Sequence, residues 1–301
     1  MRALAIISLL FVLVLILVST YSRLDSAGIG CADWPACYGL IGDAGGKTPV
    51  LGGMIERLVA GGLLLLMLAT TLVSLRQRRD RLLSLVLLGL TGFLVWRGVY
   101  SGELHSPAVV MGNLSGGFAL LGLLGWMIFR DARPHANASH SVRRWVVAAL
   151  VLLCIQIALG GLTSANFAAT ACTSLPDCHG SWLPGSDLAK AFDLSRQHEI
   201  GPTGLALGGA ERADIHKLHR LVAAATLLTA LIAGGLALAG RMGMTAVFVI
   251  ALAALEFSIG VAAIRLDLPI GIAVAHNLLA AILLLGLLRL HALCRNRQAL
   301  L

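Results

Sequence analysis

Hydrophobic residues fill this chain in long uninterrupted runs, and polar residues gather in the short stretches between the runs. A helix crosses a bilayer with about 20 apolar residues. Eight windows of that kind are found near 3–21, 52–75, 82–101, 107–129, 143–163, 213–239, 243–264 and 269–293. Because lipid offers the backbone no hydrogen-bond partner, each window is predicted to be a helix. The pattern predicts an all-α integral membrane protein with eight transmembrane helices.

Composition supports this class. Hydrophobic residues make up 58% of the chain and charged residues only 13%, with a mean hydropathy of +0.87. A soluble domain usually has about a quarter charged residues, so the composition excludes one. No small-residue cleavage site follows the first apolar run, which is therefore expected to remain as a span.

The basic residues predict the orientation in the membrane. They gather in connections on one side, namely 76–81, 130–144, Arg241 and the tail 295–297. By the positive-inside rule that side is the cytoplasm, with both termini inside. The net charge of +8 is then mainly a topology signal, and no nucleic-acid partner is expected.

Two pairs of strings indicate an internal repeat. The strings C-A-D-W-P-A-C-Y-G and C-T-S-L-P-D-C-H-G, which begin at Cys31 and Cys172, share the pattern C-x3-P-x-C-[Y/H]-G. M-I-E-R-L-V-A (54–60) likewise resembles K-L-H-R-L-V-A (217–223). The chain is therefore predicted to be two duplicated four-helix bundles, divided into an N-terminal unit, a cytoplasmic linker and a C-terminal unit at 1–130, 131–142 and 143–301.

The two halves differ where chemistry is expected. Glu56 and Asn113 are 57 residues apart, and so are His219 and His276. One half thus has two histidines where the other has a glutamate and an asparagine.

The predicted topology places two long loops, 22–51 and 164–212, on the outer side of the membrane, and the larger is expected to fold over the outer mouth of the second unit. Each loop contains a cysteine pair, and an oxidising compartment permits disulfides. The pairs predicted to be bridged are Cys31 with Cys37 and Cys172 with Cys178.

Free thiols or a zinc site are the alternatives for these cysteines, although the usual zinc spacing is two to four residues. Cys154 lies within one span, and Cys294 lies at the cytoplasmic end of another. Both are interpreted as small apolar residues.

His219 and His276 are the strongest candidates for chemistry. His219 lies about six residues, or roughly 9 Å, into the sixth span, and His276 lies seven residues past Pro269 on a helix running the same way. Ionisable groups inside a membrane are costly and indicate function. Two imidazoles at matching depth suit axial ligation of haem iron. Buried structural histidines are the alternative.

Several neighbours lie near the same outer boundary. Arg220 follows His219 directly, and Lys217 and Arg265 lie close to it. These cations are candidate partners for haem propionates, or they reach towards lipid headgroups. His216, one turn above His219, is predicted either to orient a propionate or to face water.

Four strings carry a resemblance over nearly the whole chain. They are Y-S-R-L-D-S-A-G-I-G-C-A-D-W-P-A-C-Y-G (21–39), Q-I-A-L-G-G-L-T-S-A-N-F-A-A-T-A-C-T-S-L-P-D-C-H-G-S-W-L-P (156–184), I-H-K-L-H-R-L (215–221) and P-I-G-I-A-V-A-H-N (269–277). They resemble the haem A synthase family of cytochrome oxidase assembly proteins, in its proteobacterial form.

The resemblance implies an eight-span duplicated bundle that oxidises the C8 methyl of haem O to a formyl group. It implies haem b as cofactor in the C-terminal unit and haem O as substrate in the N-terminal unit. It further implies the bacterial inner membrane, and haem O synthase or oxidase subunits as partners. No nucleotide, flavin or iron–sulfur motif is visible, so electrons are expected from an external donor.

The chain departs from the family in its first half. Members usually read E-x-x-H-R at the start of the second span, where this chain reads G-M-I-E-R (53–57). Gly53 thus replaces a glutamate, Glu56 replaces a histidine, and Asn113 replaces the fourth-span histidine. Arg57 remains on the substrate side, and Glu56 is the candidate catalytic group of a rebuilt site.

Three functions therefore compete. The first is an oxidoreductase of haem A synthesis. The second is a haem b-binding electron-transfer or oxidase-assembly protein without hydroxylase activity, which the losses in the first half favour. The third, a transporter or structural bundle, requires the histidine pair to be incidental.

Overall fold

The computed structural model describes residues 1–27, 38–39, 50–100, 106–135 and 139–295. Within these ranges the chain forms α-helices in the following order: α1 (Arg2–Ser26), α2 (Val50–Gln77), α3 (Arg81–Tyr100), α4 (Pro107–Phe129), α5 (His140–Ala165), α6 (Leu188–Ala191), α7 (Ala210–Ala239), α8 (Met244–Arg265) and α9 (Ile270–Leu293). In this described part, eight helices are long and apolar enough to cross a membrane. The prediction of an all-α, eight-span membrane protein is confirmed.

The helix ends follow from local sequence. Pro107 begins α4, where its missing N–H costs nothing because the first turn has no partner for it. Ser139 caps α5 by accepting a hydrogen bond from the Val142 N–H at 3.2 Å. Gly243 turns the chain from α7 into α8 with a φ of 64°, a conformation that glycine adopts without strain.

The eight long helices pack as two rings. In the first half α1 contacts α2, α2 contacts α3, α3 contacts α4, and α4 returns to α1. The same order recurs in the second half through α5, α7, α8 and α9. The halves meet where α1 contacts α9, α4 contacts α5, and α4 contacts α9. This is the arrangement that a duplication predicts, although the duplication and its boundaries stay predictions.

The outer surface of the rings is apolar. Large side chains such as Leu58 and Leu82 are 72% and 77% exposed, while Leu121 and Leu287 are fully buried between helices. Apolar side chains on both faces of a helix are typical of a membrane span, whose outer face contacts lipid.

The loop between α5 and α7 is fastened to the ends of both helices. Arg196 contacts Glu211 at the start of α7 at 3.0 Å and donates to Asn166 at the end of α5 at 2.9 Å. Lys217 pairs with Asp214 at 2.9 Å, and Asp214 also accepts from the backbone of Gly185. The loop is thus held over one end of the second ring, as expected from the sequence.

Candidate functional site

A cavity of about 570 Å³ lies between the two halves. Its walls come from α1 and α4 on one side, and from α5, α7, α8, α9 and the α5–α7 loop on the other. That volume falls within the usual range of small-molecule sites, about 300–1,000 Å³. Five side chains singled out from the sequence line it, namely His216, His219, Arg220, Arg265 and His276.

His219 on α7 and His276 on α9 face each other across this cavity. Their ring centroids are 6.5 Å apart and their planes meet at 83°. Metal–nitrogen bonds of about 2 Å on each side, with roughly 1 Å from each nitrogen to its ring centre, give about 6 Å between centroids. The separation therefore fits one iron atom held between the two rings.

Two glycines let these rings approach the neighbouring helices. A Cβ on Gly160 of α5 would lie 3.3 Å from Cε1 of His219, and a Cβ on Gly260 of α8 would lie 3.2 Å from Cε1 of His276. Both distances are tighter than ordinary van der Waals contact, so an alanine at either place would press on the ring. The glycines thus help to set how each imidazole is turned.

Two polar side chains that the sequence analysis missed lie beside the rings. The Gln156 amide nitrogen is 3.1 Å from Nδ1 of His219, and Oε1 of Glu256 is 3.1 Å from Nδ1 of His276. The signal was available for Glu256, because an acidic residue inside a span indicates function by default. Gln156 gives a weaker signal, and its position only gains meaning from the neighbouring histidine.

A third missed residue, Arg23 on α1, also lines the cavity. Its Nε atom is buried and has no hydrogen-bond partner among the described residues. The cavity wall thus includes three arginines, Arg23, Arg220 and Arg265. Carboxylate groups of a ligand are the natural partners of such cations in a low-dielectric site.

Arg220 also holds the outer loop. Its guanidinium donates to the backbone carbonyls of Ser174 at 2.8 Å and Asp177 at 2.9 Å, and also to that of Cys172. Arg220 therefore has a structural role in the loop, and its role towards a propionate stays a prediction. Lys217, by contrast, pairs with Asp214 and is not among the described residues lining the cavity.

His216 is buried one turn above His219, with 4% of its surface exposed. Its ring donates to the carbonyl of Ala168. His216 therefore lines the cavity and does not face water, and its role towards a propionate stays a prediction.

The cysteines divide as predicted where the structure describes them. Cys172 and Cys178 form a disulfide. It closes the loop segment 172–178, whose backbone carbonyls accept hydrogen bonds from Arg220. Cys154 and Cys294 are free thiols. The predicted pair Cys31 and Cys37 lies outside the described residues.

Two altered residues of the first half, Glu56 and Asn113, do not line this cavity. Glu56 on α2 is half-buried, accepts a hydrogen bond from Ser19 of α1 and lies near the Arg23 guanidinium. Arg57 is exposed and Asn113 on α4 is half-buried. Within the described part of the chain, neither these two nor Glu56 lines the cavity.

Tyr38 closes the cavity next to Arg23. It shares a hydrogen bond with Ser164, and its ring meets Phe167 edge to face at 5.8 Å. Burial raises the pKa of the Tyr38 phenol above its ordinary value, so the group stays neutral and keeps its proton.

Comparison with known proteins agrees with this arrangement. Residues 44–288 match the family model described as cytochrome oxidase assembly protein. A haem A synthase of Shewanella oneidensis is 36% identical, with 95% of this chain and 94% of the relative covered. Haem A synthases of Shouchella clausii and Neorickettsia sennetsu are 24% and 29% identical over 61% and 69% of this chain, and over 65% and 62% of their own lengths.

The family match extends over most of the chain and includes His219 and His276, and the Shewanella relative matches nearly end to end. The chain therefore belongs to the cytochrome oxidase assembly protein family.

Proposed function

We propose that this protein is a haem A synthase-type oxidoreductase that oxidises the C8 methyl of haem O to a formyl group, with haem b as its resident cofactor. The observation that carries the proposal is the His219–His276 pair, whose centroids lie 6.5 Å apart across a cavity of about 570 Å³. The names of the relatives support the reaction.

The second half is proposed to hold the cofactor. A haem held between two histidines would supply one-electron transfer. His219 and His276 would hold the iron, while Arg23, Arg220 and Arg265 would bind the propionates. The α5–α7 loop contributes the apolar side chains of Leu175, Pro176 and Trp182 to the cavity wall.

The first half is proposed to bind haem O. Glu56 is its candidate catalytic group, with Arg57 and Asn113 on the substrate side. The Glu56 carboxylate lies close to Arg23, and Arg23 lines the cofactor cavity. A polar connection between the two halves therefore runs along the outer end of α1.

The same half favours a second candidate function. Gly53, Glu56 and Asn113 replace residues that the family uses on the substrate side, and neither glycine nor asparagine is a usual iron ligand. A haem b-binding electron-transfer or oxidase-assembly protein without hydroxylase activity needs only the intact second half. The two candidates differ in their product, because the first makes formyl haem from haem O and the second makes no new haem.

The membrane setting is proposed from the sequence. The protein is a multi-pass membrane protein, and we place it in the bacterial inner membrane with both termini in the cytoplasm. The α5–α7 loop then faces the oxidising side, where its disulfide forms. An external electron donor, haem O synthase and oxidase subunits are the proposed partners.

One experiment tests both candidates. The protein is purified after co-expression with a source of haem O, its haems are counted from reduced-minus-oxidised spectra, and the extracted haems are separated by chromatography. Formyl haem supports the first function. One haem b and no new haem supports the second, and no bound haem contradicts both.

Variants of the histidines test the cofactor site itself. His219→Ala and His276→Ala are each expected to abolish the low-spin haem spectrum, because six-coordinate iron needs both nitrogens. His291→Ala is the matched control, since His291 also lies on α9 but stacks near Trp126, with ring centroids 6.0 Å apart. An unchanged low-spin spectrum after loss of either cavity histidine would refute the assignment.

A further inference from the structure

Each of the two histidines contacts a neighbouring helix at two residues, a polar one and a glycine four positions later. Gln156 and Gly160 are four residues apart on α5 and both contact the ring of His219. Glu256 and Gly260 are four residues apart on α8, and both contact the ring of His276. Residues four apart share one face of a helix, so each imidazole lies against a helix face that presents a polar group and a glycine.

The spacing of the polar residue and the glycine is the same on both helices, but the charge of the polar residue differs. Glu256 is an acid whose side chain is only 13% exposed, inside a membrane span. Gln156 is a neutral amide at the matching place. Burying a carboxylate costs far more free energy than burying an apolar residue of the same size. An acid inside a membrane span therefore indicates a function. Its Oε2 atom has no hydrogen-bond partner among the described residues, so the contact with His276 does not fully satisfy the group.

Each polar group lies within hydrogen-bonding distance of Nδ1 of its ring, the nitrogen that stays free when Nε2 binds a metal. Oε1 of Glu256 lies 3.1 Å from Nδ1 of His276, which is the nitrogen that carries the proton when Nε2 is the ligand. Oε1 of Gln156 is buried without a partner among the described residues, while its amide nitrogen lies 3.1 Å from Nδ1 and 3.3 Å from Nε2 of His219. Half a turn of the Gln156 amide brings its oxygen beside the ring, where it can accept the Nδ1 proton when Nε2 is the ligand.

We propose that Glu256 and Gln156 are the positioning residues of the two axial histidines, and that their difference in charge makes His276 the stronger donor to the metal. This inference rests on the proposed haem site. A partner on Nδ1 fixes the tautomer and the ring orientation and raises the basicity of the ligating nitrogen. A carboxylate does so more strongly than an amide, because its negative charge pulls on the Nδ1 proton.

The charge has a second effect that can be measured. Ferric haem has one more positive charge than ferrous haem, so a carboxylate behind one ligand stabilises the oxidised form. Glu256 therefore lowers the reduction potential of the haem, and Gln156 leaves it nearly unchanged. A residue with a merely structural role would affect stability or haem retention without this signed shift.

Reciprocal substitutions test the inference. Glu256→Gln is expected to move the midpoint potential to a more positive value, and Gln156→Glu to a more negative one, with both histidines still bound in a low-spin spectrum. Ser258→Ala is the matched control, because Ser258 lies on the same helix, is exposed and donates to Ala254 of its own helix. Potentiometric titration of the purified, haem-loaded protein gives the readout.

The outcomes separate this inference from the proposed function. Absence of low-spin haem in the unmodified protein contradicts the haem site itself. Low-spin haem with a potential that Glu256→Gln leaves unchanged or makes more negative overturns the positioning role. If Glu256→Gln does not retain haem, Gln156→Glu decides alone, since a lowered potential supports the inference and an unchanged or raised one overturns it.

Discussion

The ring planes of His219 and His276 meet at 83°, so the two imidazoles stand almost perpendicular to each other. The π electrons of an imidazole lie above and below its ring, so it donates into the metal d orbital that is oriented perpendicular to the ring plane. Two perpendicular rings therefore act on two different orbitals and leave them close in energy, whereas parallel rings split them.

We expect the oxidised protein to show a strongly anisotropic low-spin electron paramagnetic resonance signal. Gly160→Ala or Gly260→Ala, whose Cβ atoms would lie 3.3 and 3.2 Å from the ring carbons of His219 and His276, should turn a ring and make the signal more rhombic. Gly235→Ala on α7 is the control, because no atom lies within 4 Å of its added Cβ. A rhombic signal from the unmodified protein would contradict the perpendicular arrangement.

A second prediction concerns the clasp between Arg220 and the disulfide loop. Arg220→Lys should loosen residues 172–178, because a single ammonium group cannot reach three carbonyls from the positions that the planar guanidinium occupies. The expected cost is roughly 2 kcal/mol of unfolding free energy, the value of one or two charge-assisted hydrogen bonds. Thermal unfolding and hydrogen exchange of the loop measure it. Arg241→Lys, in an exposed turn, should leave both unchanged, and equal protection of the loop in the two variants would disprove the clasp.

A third prediction concerns the thiols. In denatured, unreduced protein, a thiol reagent should label only Cys154 and Cys294, because the other four cysteines are predicted to be bridged. In folded protein Cys294 should react slowly at neutral pH, since burial raises its pKa to about 11 and the thiolate is scarce. Mass spectrometry counts the labels. Four or more before reduction would mean that the predicted Cys31–Cys37 bridge or the Cys172–Cys178 bridge does not form.

A fourth prediction concerns pH. The His198 ring bonds the Ala165 carbonyl at 2.8 Å, and burial lowers its pKa below the ordinary value of 6.5. The undocked loop then binds the proton more readily, so docking is strongest above about pH 6.5. It weakens as the pH falls from there towards the lowered pKa.

Hydrogen exchange of the loop at pH 7.5 and 5.5 measures this effect, with faster exchange expected at the lower pH. His198→Gln retains a donor for Ala165 but does not titrate, so its loop should respond less to pH. An equal response in both proteins would assign the pH effect to other groups.

The fifth prediction concerns the altered half. The unmodified protein should bind one haem tightly, in the second half, with any second haem weak and sensitive to Glu56→Ala. Gly53→Glu, Glu56→His and Asn113→His together restore the family pattern and should raise the occupancy towards two haems per chain. Pyridine haemochrome analysis against protein concentration measures it. Two equally strong low-spin haems in the unmodified protein would show that the first half has kept its ligands.

The sequence predicted what single helices determine. Burial in lipid makes each span apolar along its whole length, so the eight spans could be read directly. The matching depth of His219 and His276 also follows from counting residues along each helix, so their placement at one level could be expected before the structure was known.

Contacts between helices could not be read in this way. That Arg23 of α1 lines the same cavity as His219 and His276 depends on which helices are neighbours, and no pattern within α1 reports it. The bonds of Arg220 to the outer loop depend on the path of a loop without regular structure. The pairing of Lys217 with Asp214 is different, because a three-residue spacing on one helix could have predicted it.

The walls of the cavity determine how freely the first half can change. Because α1 and α4 close one side of the space in front of His219 and His276, removing the first half would open the proposed cofactor site to lipid. Glu56 and Asn113 do not line the cavity, so substitutions there leave its wall intact, whereas changes at Leu114 or Phe118, which do line it, would open it. The first half can thus lose its own catalytic residues and still be required, because its helices form one wall of the cavity that holds His219 and His276.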